Sequence, residues 1–172
     1  ARIRQHLIRS GDRTYHIYRG DLHRHTENSP DGGAEGSLLD AYRYALDAAA
    51  MDYLMVTDHN DGQREYDWWQ REKSNDLFRV GEAFVGLYGY ERSVGYPNGH
   101  RNVFFTKRGV RPLDIFERRG PGGQDTPNSG ELLYPYLRIN GGICFSHTSG
   151  TGMGTDWRDN DPQLEPLVEI FQ

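Results

Sequence analysis

The stretch GDLHRHTENSPDG, residues 20 to 32, holds two histidines one residue apart, His23 and His25, and an acid, Asp31, six residues after the second. Along a strand, residues i and i+2 face the same way, so at a strand end both imidazoles aim at one point. Imidazoles converging with a carboxylate form the donor set of a divalent metal ion. The arrangement recurs along the chain. Asp58 and His59 follow MDYLMVT, Glu91 follows AFVGLYGY, His100 opens HRNVFFT, and His147 follows GGICF. Five of the seven histidines thus flank an apolar run, and His6 and His16 do not. Taken singly, each has an ordinary explanation: a lone His is more often a surface or satisfied core residue, Glu91 fits a structural ion pair, and Asp58 fits a turn cap. Taken together they resist that explanation, because burying so many ionisable groups is costly unless a cation compensates.

The surrounding pattern says how such residues would be held. Residues 13 to 24 read as strand, 38 to 50 as a helix with Ser37 and Asp40 in capping-box spacing, and 51 to 57 as strand. Residues 64 to 78 read as a helix carrying Trp68 and Trp69, 83 to 90 and 100 to 106 as strands, and 131 to 139 as a helix. Residues 141 to 148 and 167 to 171 are the last strands. The order β-α-β-α-β-β-α-β-β, with continuous apolar strands, predicts an α/β fold: a largely parallel sheet or barrel covered on both faces. Sites in such folds collect at the carboxyl ends of the strands. The Gly- and Pro-rich segment 119 to 130 is long enough to act as a lid.

The chain has 172 residues, enough for one domain spanning 1–172. A net charge of −5 and the lack of a basic stripe disfavour nucleic acid and anionic membranes as partners. No apolar run approaches the ~20 residues of a membrane span. One cysteine, Cys144, excludes an internal disulfide framework and reads as a small apolar strand residue. A reducing, cytoplasmic setting is the expectation, and a cysteine-poor secreted parent has the same composition.

GDLHRHTENSPDG, VTDHN, GYERS, GHRNVFF and FSHT, in this order, resemble the PHP (polymerase and histidinol phosphatase) superfamily across roughly residues 18 to 171. The resemblance is closest to its metal-dependent phosphoesterases. It implies a distorted seven-stranded β/α barrel holding two or three divalent metal ions (Mn, Zn or Fe). It also implies the ligands: His23 and His25, Asp31, His59, a bridging Glu91, His100 and His147, with Asp58 supporting His59 from behind. The family closes its cluster with an Asp-x-His pair on a last strand. Asp156, Asp159 and Asp161 lie before LVEIF and have no partner His, so the expectation is a barrel incomplete on its C-terminal side, a fragment of a longer protein.

The activity so implied is hydrolysis of a phosphate ester, a small one in preference to nucleic acid. Metals roughly 3.5–4 Å apart activate water and clamp phosphate. Glu91 would fix their spacing, and His147 would serve as ligand or proton donor. Three arginines, Arg24, Arg92 and Arg101, adjoin proposed ligands, and Arg92 is the best placed of them to fork a phosphate because it follows the strand end. Two other readings stay open: an amidohydrolase-like hydrolase, whose mid-barrel lysine has only Lys107 as a candidate, and a non-catalytic metal-stabilised binding or regulatory domain. The oligomeric state is not encoded in any motif.

Overall fold

Eight short strands and three α-helices form from these runs in the computed structural model, which describes residues 6–29, 31, 35–60, 64–113, 129–150 and 152–170. Residues 119–128 of the Gly- and Pro-rich segment, the lid candidate, lie outside them. β1 (Leu7–Ser10) and β2 (Arg13–His16) make a separate antiparallel hairpin that turns at Gly11, where φ is +58°. Then come β3 (Gly20–Arg24), α1 (Leu38–Arg43), β4 (Tyr53–Val56), α2 (Glu65–Leu77), β5 (Val85–Arg92), β6 (Arg101–Phe105), α3 (Ser129–Asn140), β7 (Gly142–Ser146) and β8 (Leu167–Val168). From β3 onward this is the element order expected from the sequence. Ser37 caps α1 as its spacing suggests, accepting from the Asp40 backbone N–H at 3.2 Å.

The sheet runs β3-β4-β5-β6-β7-β8, each strand beside its neighbour in sequence. The pairs β3/β4, β4/β5 and β7/β8 are parallel, whereas β5/β6 and β6/β7 are antiparallel. The expectation of a largely parallel sheet is therefore corrected to a mixed one. Residues 93–100 between β5 and β6 are too few for the helical crossover that parallel pairing needs. The single strand expected over 13–24 is divided, with its first part in the hairpin. Among the described residues the main sheet has six strands.

The sheet is curled into a half-barrel. Side chains from its two edges meet, His23 of β3 lying 2.8 Å from Glu169 just past β8. Alternation assigns each strand's faces. Leu54, Val56, Tyr90, Val103, Phe105 and Cys144 face outward into two buried clusters with the helices. Leu22, Tyr53, Leu87, Phe104, Ile143 and Leu167 face the concave side and line a cavity of about 540 Å³. Cys144 is fully buried, and burial pushes its thiol well above the ordinary range, as fits a packing residue. Trp68 packs edge-on against Tyr90, while Trp69 stacks on Tyr66 at the surface.

Helix α2 rests directly on β5 at Gly86. A Cβ there would stand 2.8 Å from the Asn75 Cα and 2.3 Å from its Oδ1. Asn75 is itself fixed, donating to the Leu87 carbonyl at 3.0 Å and accepting from the Tyr42 hydroxyl. Gly86→Ala is expected to lower stability by about 1–3 kcal/mol through overpacking. A thermal melt of the variant checks this, and an unchanged midpoint would refute the close approach.

Candidate metal centre

Every strand of the half-barrel contributes at one rim. His23 ends β3, His59 follows β4, Glu91 lies near the end of β5, His147 follows β7 and Glu169 follows β8. β6 runs the other way, so its start, next to His100, lies at the same rim. Backbone pairing holds these positions in line. The Glu91 N–H donates to the Asp58 carbonyl at 3.2 Å, and its carbonyl accepts from Asn60 at 2.9 Å. The Glu169 N–H donates to the Ser146 carbonyl at 3.0 Å. On β3 an irregularity intervenes: Asp21 pairs with Leu54 and Arg24 with Val56, three residues against two. This bulge lets Leu22 and His23 both face inward, re-aiming the histidines at the centre.

The Glu91 carboxylate sits at that centre. Its Oε1 lies 2.6 Å from His100 Nδ1, 3.1 Å from His147 Nε2 and 3.5 Å from His59 Nδ1. Its Oε2 lies 3.0 Å from His25 Nε2 and 3.2 Å from His23 Nε2. The five imidazoles form a closed circle, with successive ring centroids between 4.2 Å (His23–His147) and 5.9 Å (His100–His147). Asp31 closes one side, 3.0 Å from His59 Nε2 and 3.5 Å from His25 Nδ1. The structure thus brings together all seven residues of the sequence-expected ligand set.

Protonation follows from this crowding. Burial pushes the Glu91 carboxyl up, but hydrogen bonds from His100, His147, His23 and His25 overcome it and hold the group far below the ordinary carboxylate range. Burial pushes His23 down, yet Glu91 and Glu169 outweigh it and leave the imidazole raised. For His147 burial wins over Glu91, so its pKa lies below the ordinary value and the neutral form is favoured. Asp31, penalised by desolvation, is nevertheless lowered by His59.

Polar groups behind the imidazoles orient them. Glu169 meets His23 Nδ1 at 2.8 Å, Ser29 meets His25 Nδ1 at 2.9 Å, and Ser93 contacts His59 Nδ1. Such partners fix ring and tautomer, leaving the other nitrogen to the site. Sequence reasoning missed all three. Glu169 carried a usable signal, being an acid directly after the strand residues Leu167 and Val168, as Glu91 is an acid near a strand end. The two serines carried none.

Asp58, expected behind His59, instead holds the chain around the site, while Ser93 meets the His59 ring. The Asp58 Oδ1 accepts from the Thr26 N–H at 2.6 Å, its Oδ2 accepts from the Thr26 hydroxyl at 2.9 Å, and Arg71 lies 3.3 Å away. It thereby ties the turn after His25 to β4 and α2. The expectation for Arg92 needs correction. Alternation turns it to the face opposite Glu91, where it is buried and donates to the Leu113 carbonyl at 3.0 Å. Arg24 pairs with Glu35 at 2.6 Å and Arg101 with Glu165 at 3.1 Å, both on the outer face. Lys107 lies past the far end of β6.

The donor set fits divalent metal. A carboxylate offers about four lone-pair sites, two per oxygen, and three imidazoles address Oε1 alone. His23 Nε2 and His25 Nε2 face each other at 3.1 Å. Four overlapping groups, His23/His25/Glu91, His23/His147/Glu169, His25/Asp31/His59 and His59/Glu91/His100, each keep their ligand atoms within 4.8 Å of one another. Imidazole with carboxylate is the chemistry of Zn, Mn and Fe sites.

Comparison with known proteins adds no name: no family model matches the chain, and no curated protein matches it. No helix among the described residues is long and apolar enough to cross a membrane.

Purified protein is expected to retain divalent metal on elemental analysis, and Glu91→Ala to lose it. Glu169→Gln should keep the ligands but bind metal about 10–100-fold more weakly in competition with a chelator. Affinity equal to wild type would remove Glu169 from the site.

Proposed function

We propose that this chain is a PHP-type, metal-dependent phosphoesterase domain that hydrolyses a small phosphate ester. The observation that carries the reading is the Glu91 carboxylate set within 2.6–3.5 Å of five imidazoles from four different strand ends. His23, His25, Asp31, His59, Glu91, His100 and His147 would hold two or three divalent ions. Such ions supply Lewis acidity and a nucleophilic water at neutral pH.

The chain's own groups do the rest. Glu91, anionic over the working pH range, is available to two ions at once through its two oxygens. Neutral His147 presents Nε2 toward that carboxylate, which suits a ligand better than a proton donor. Asp31 is exposed at the edge of the cluster, marking the side from which substrate enters. No arginine adjoining the ligands points into the cluster, so phosphate charge would be met by metal. That limits the recognition surface and favours a compact ester over a polynucleotide, in line with the net charge of −5.

Metal-loaded protein is expected to release nitrophenol from p-nitrophenyl phosphate or its bis-ester. Chelation and Glu91→Ala should abolish the release, and added Mn or Zn should restore it only to the chelated wild type. Tight metal binding with no turnover of either ester would instead mark a metal-stabilised binding domain.

A further inference from the structure

Of the four histidines that turn Nε2 on Glu91 or Asp31, three have Nδ1 engaged by Glu169, Ser29 or Ser93. The fourth is His147. Its Nδ1 is buried with no hydrogen-bond partner among the described residues. A second buried group shares that condition: the Asn102 amide, fully buried, with neither Nδ2 nor Oδ1 bonded.

The two are neighbours in the sheet. Asn102 pairs across β5/β6 with Glu91 and across β6/β7 with Phe145. Cross-strand partners share a face, so Asn102 points inward with Glu91, and His147 lies two residues beyond Phe145 on that face. Diagonal neighbours of this kind stand roughly 7–8 Å apart at the backbone and within reach of each other's side chains, so that a single water can join the amide to the imidazole. Apolar residues of the same face, Phe104 and Ile143 among them, surround the approach from below.

The chemistry of His147 calls for such a partner. While Nε2–H donates to Glu91, Nδ1 is an acceptor; once Nε2 gives its lone pair to a metal, Nδ1 must carry the proton and donate. Serine aside, few groups serve both states. A carboxamide acting through water does, because its oxygen accepts, its NH2 donates, and the water between can turn either way without moving charge.

We propose that Asn102 is a positioning residue of the metal centre, holding a buried water against His147 Nδ1 and so setting the tautomer that frees Nε2 as a ligand. This rests on the metal-site reading above. It assigns a role to a residue that neither touches metal nor stands among the expected ligands.

The test compares wild type, Asn102→Leu and Asn102→Ser. Zinc affinity comes from competition with a chromophoric chelator, and the visible spectrum of the cobalt-substituted protein reports ligand geometry. Leucine should weaken zinc binding about tenfold or more and shift the cobalt spectrum, while the metal-free protein still melts cooperatively, at a midpoint no higher than wild type because His147 Nδ1 loses its bridge. Serine, which keeps a donor and an acceptor, should restore most of the affinity. Affinity within about twofold of wild type for Asn102→Leu, with the same spectrum, overturns the proposal. Should Asn102→Leu fail to fold, Asn102→Ala takes its place with the same expectations. If wild type itself binds no metal, the metal reading fails separately. Nitrogen-15 spectra of the histidines in metal-free protein then decide, and identical His147 Nδ1 signals in wild type and variant overturn the water bridge.

Discussion

A carboxylate withdrawn from water at the centre of five imidazoles governs this molecule. Isolated, a buried Glu91 would take up a proton or open the fold. Surrounded by His23, His25, His59, His100 and His147 it stays ionised far below its usual range. The arrangement is possible only if strands far apart in the sheet end at one rim and if the sheet curls enough to bring its edges together. The 2.8 Å contact of His23 with Glu169 is where that curl becomes measurable.

The outer face supplies the rigidity the rim requires. Asp58, tied to Thr26 and Arg71, joins the turn after β3 to β4 and α2. Glu165 takes Arg101, the Tyr134 hydroxyl and Ser146 together, binding the strands that carry His100 and His147 to each other and to α3. These buried charges add little net stability, since desolvation offsets their attraction, but a broken pair would be costly. They act as register pins: Asp58 and Arg101 lie on the convex side, each next in sequence to a histidine aimed at the cluster.

Much of the site was legible beforehand because its signal is local. An ionisable residue flanking an apolar run is conspicuous, and His23, His25, His59, Glu91, His100 and His147 all carry that mark. Glu169 carried it too and was passed over because the expectation for the last strand was an Asp-x-His pair. Arg92 was expected to turn back past the strand end, but β5 continues through it, and the alternation that puts Glu91 inside puts its neighbour outside. Asn102, at the start of NVFF, gave no sign, because an amide within a strand reads as ordinary until its burial is known.

The sequence by itself determined the order of elements from β3 onward, the Ser37 cap, and which residues could bind metal, since these depend on side-chain type and on periods of two to four residues. Only the tertiary structure decided that the sheet is mixed, that its edges meet, and that a bulge on β3 turns both histidines inward. Strand direction, curl and register depend on pairings between residues up to 146 positions apart, as for His23 and Glu169. No short stretch of chain encodes such a pairing.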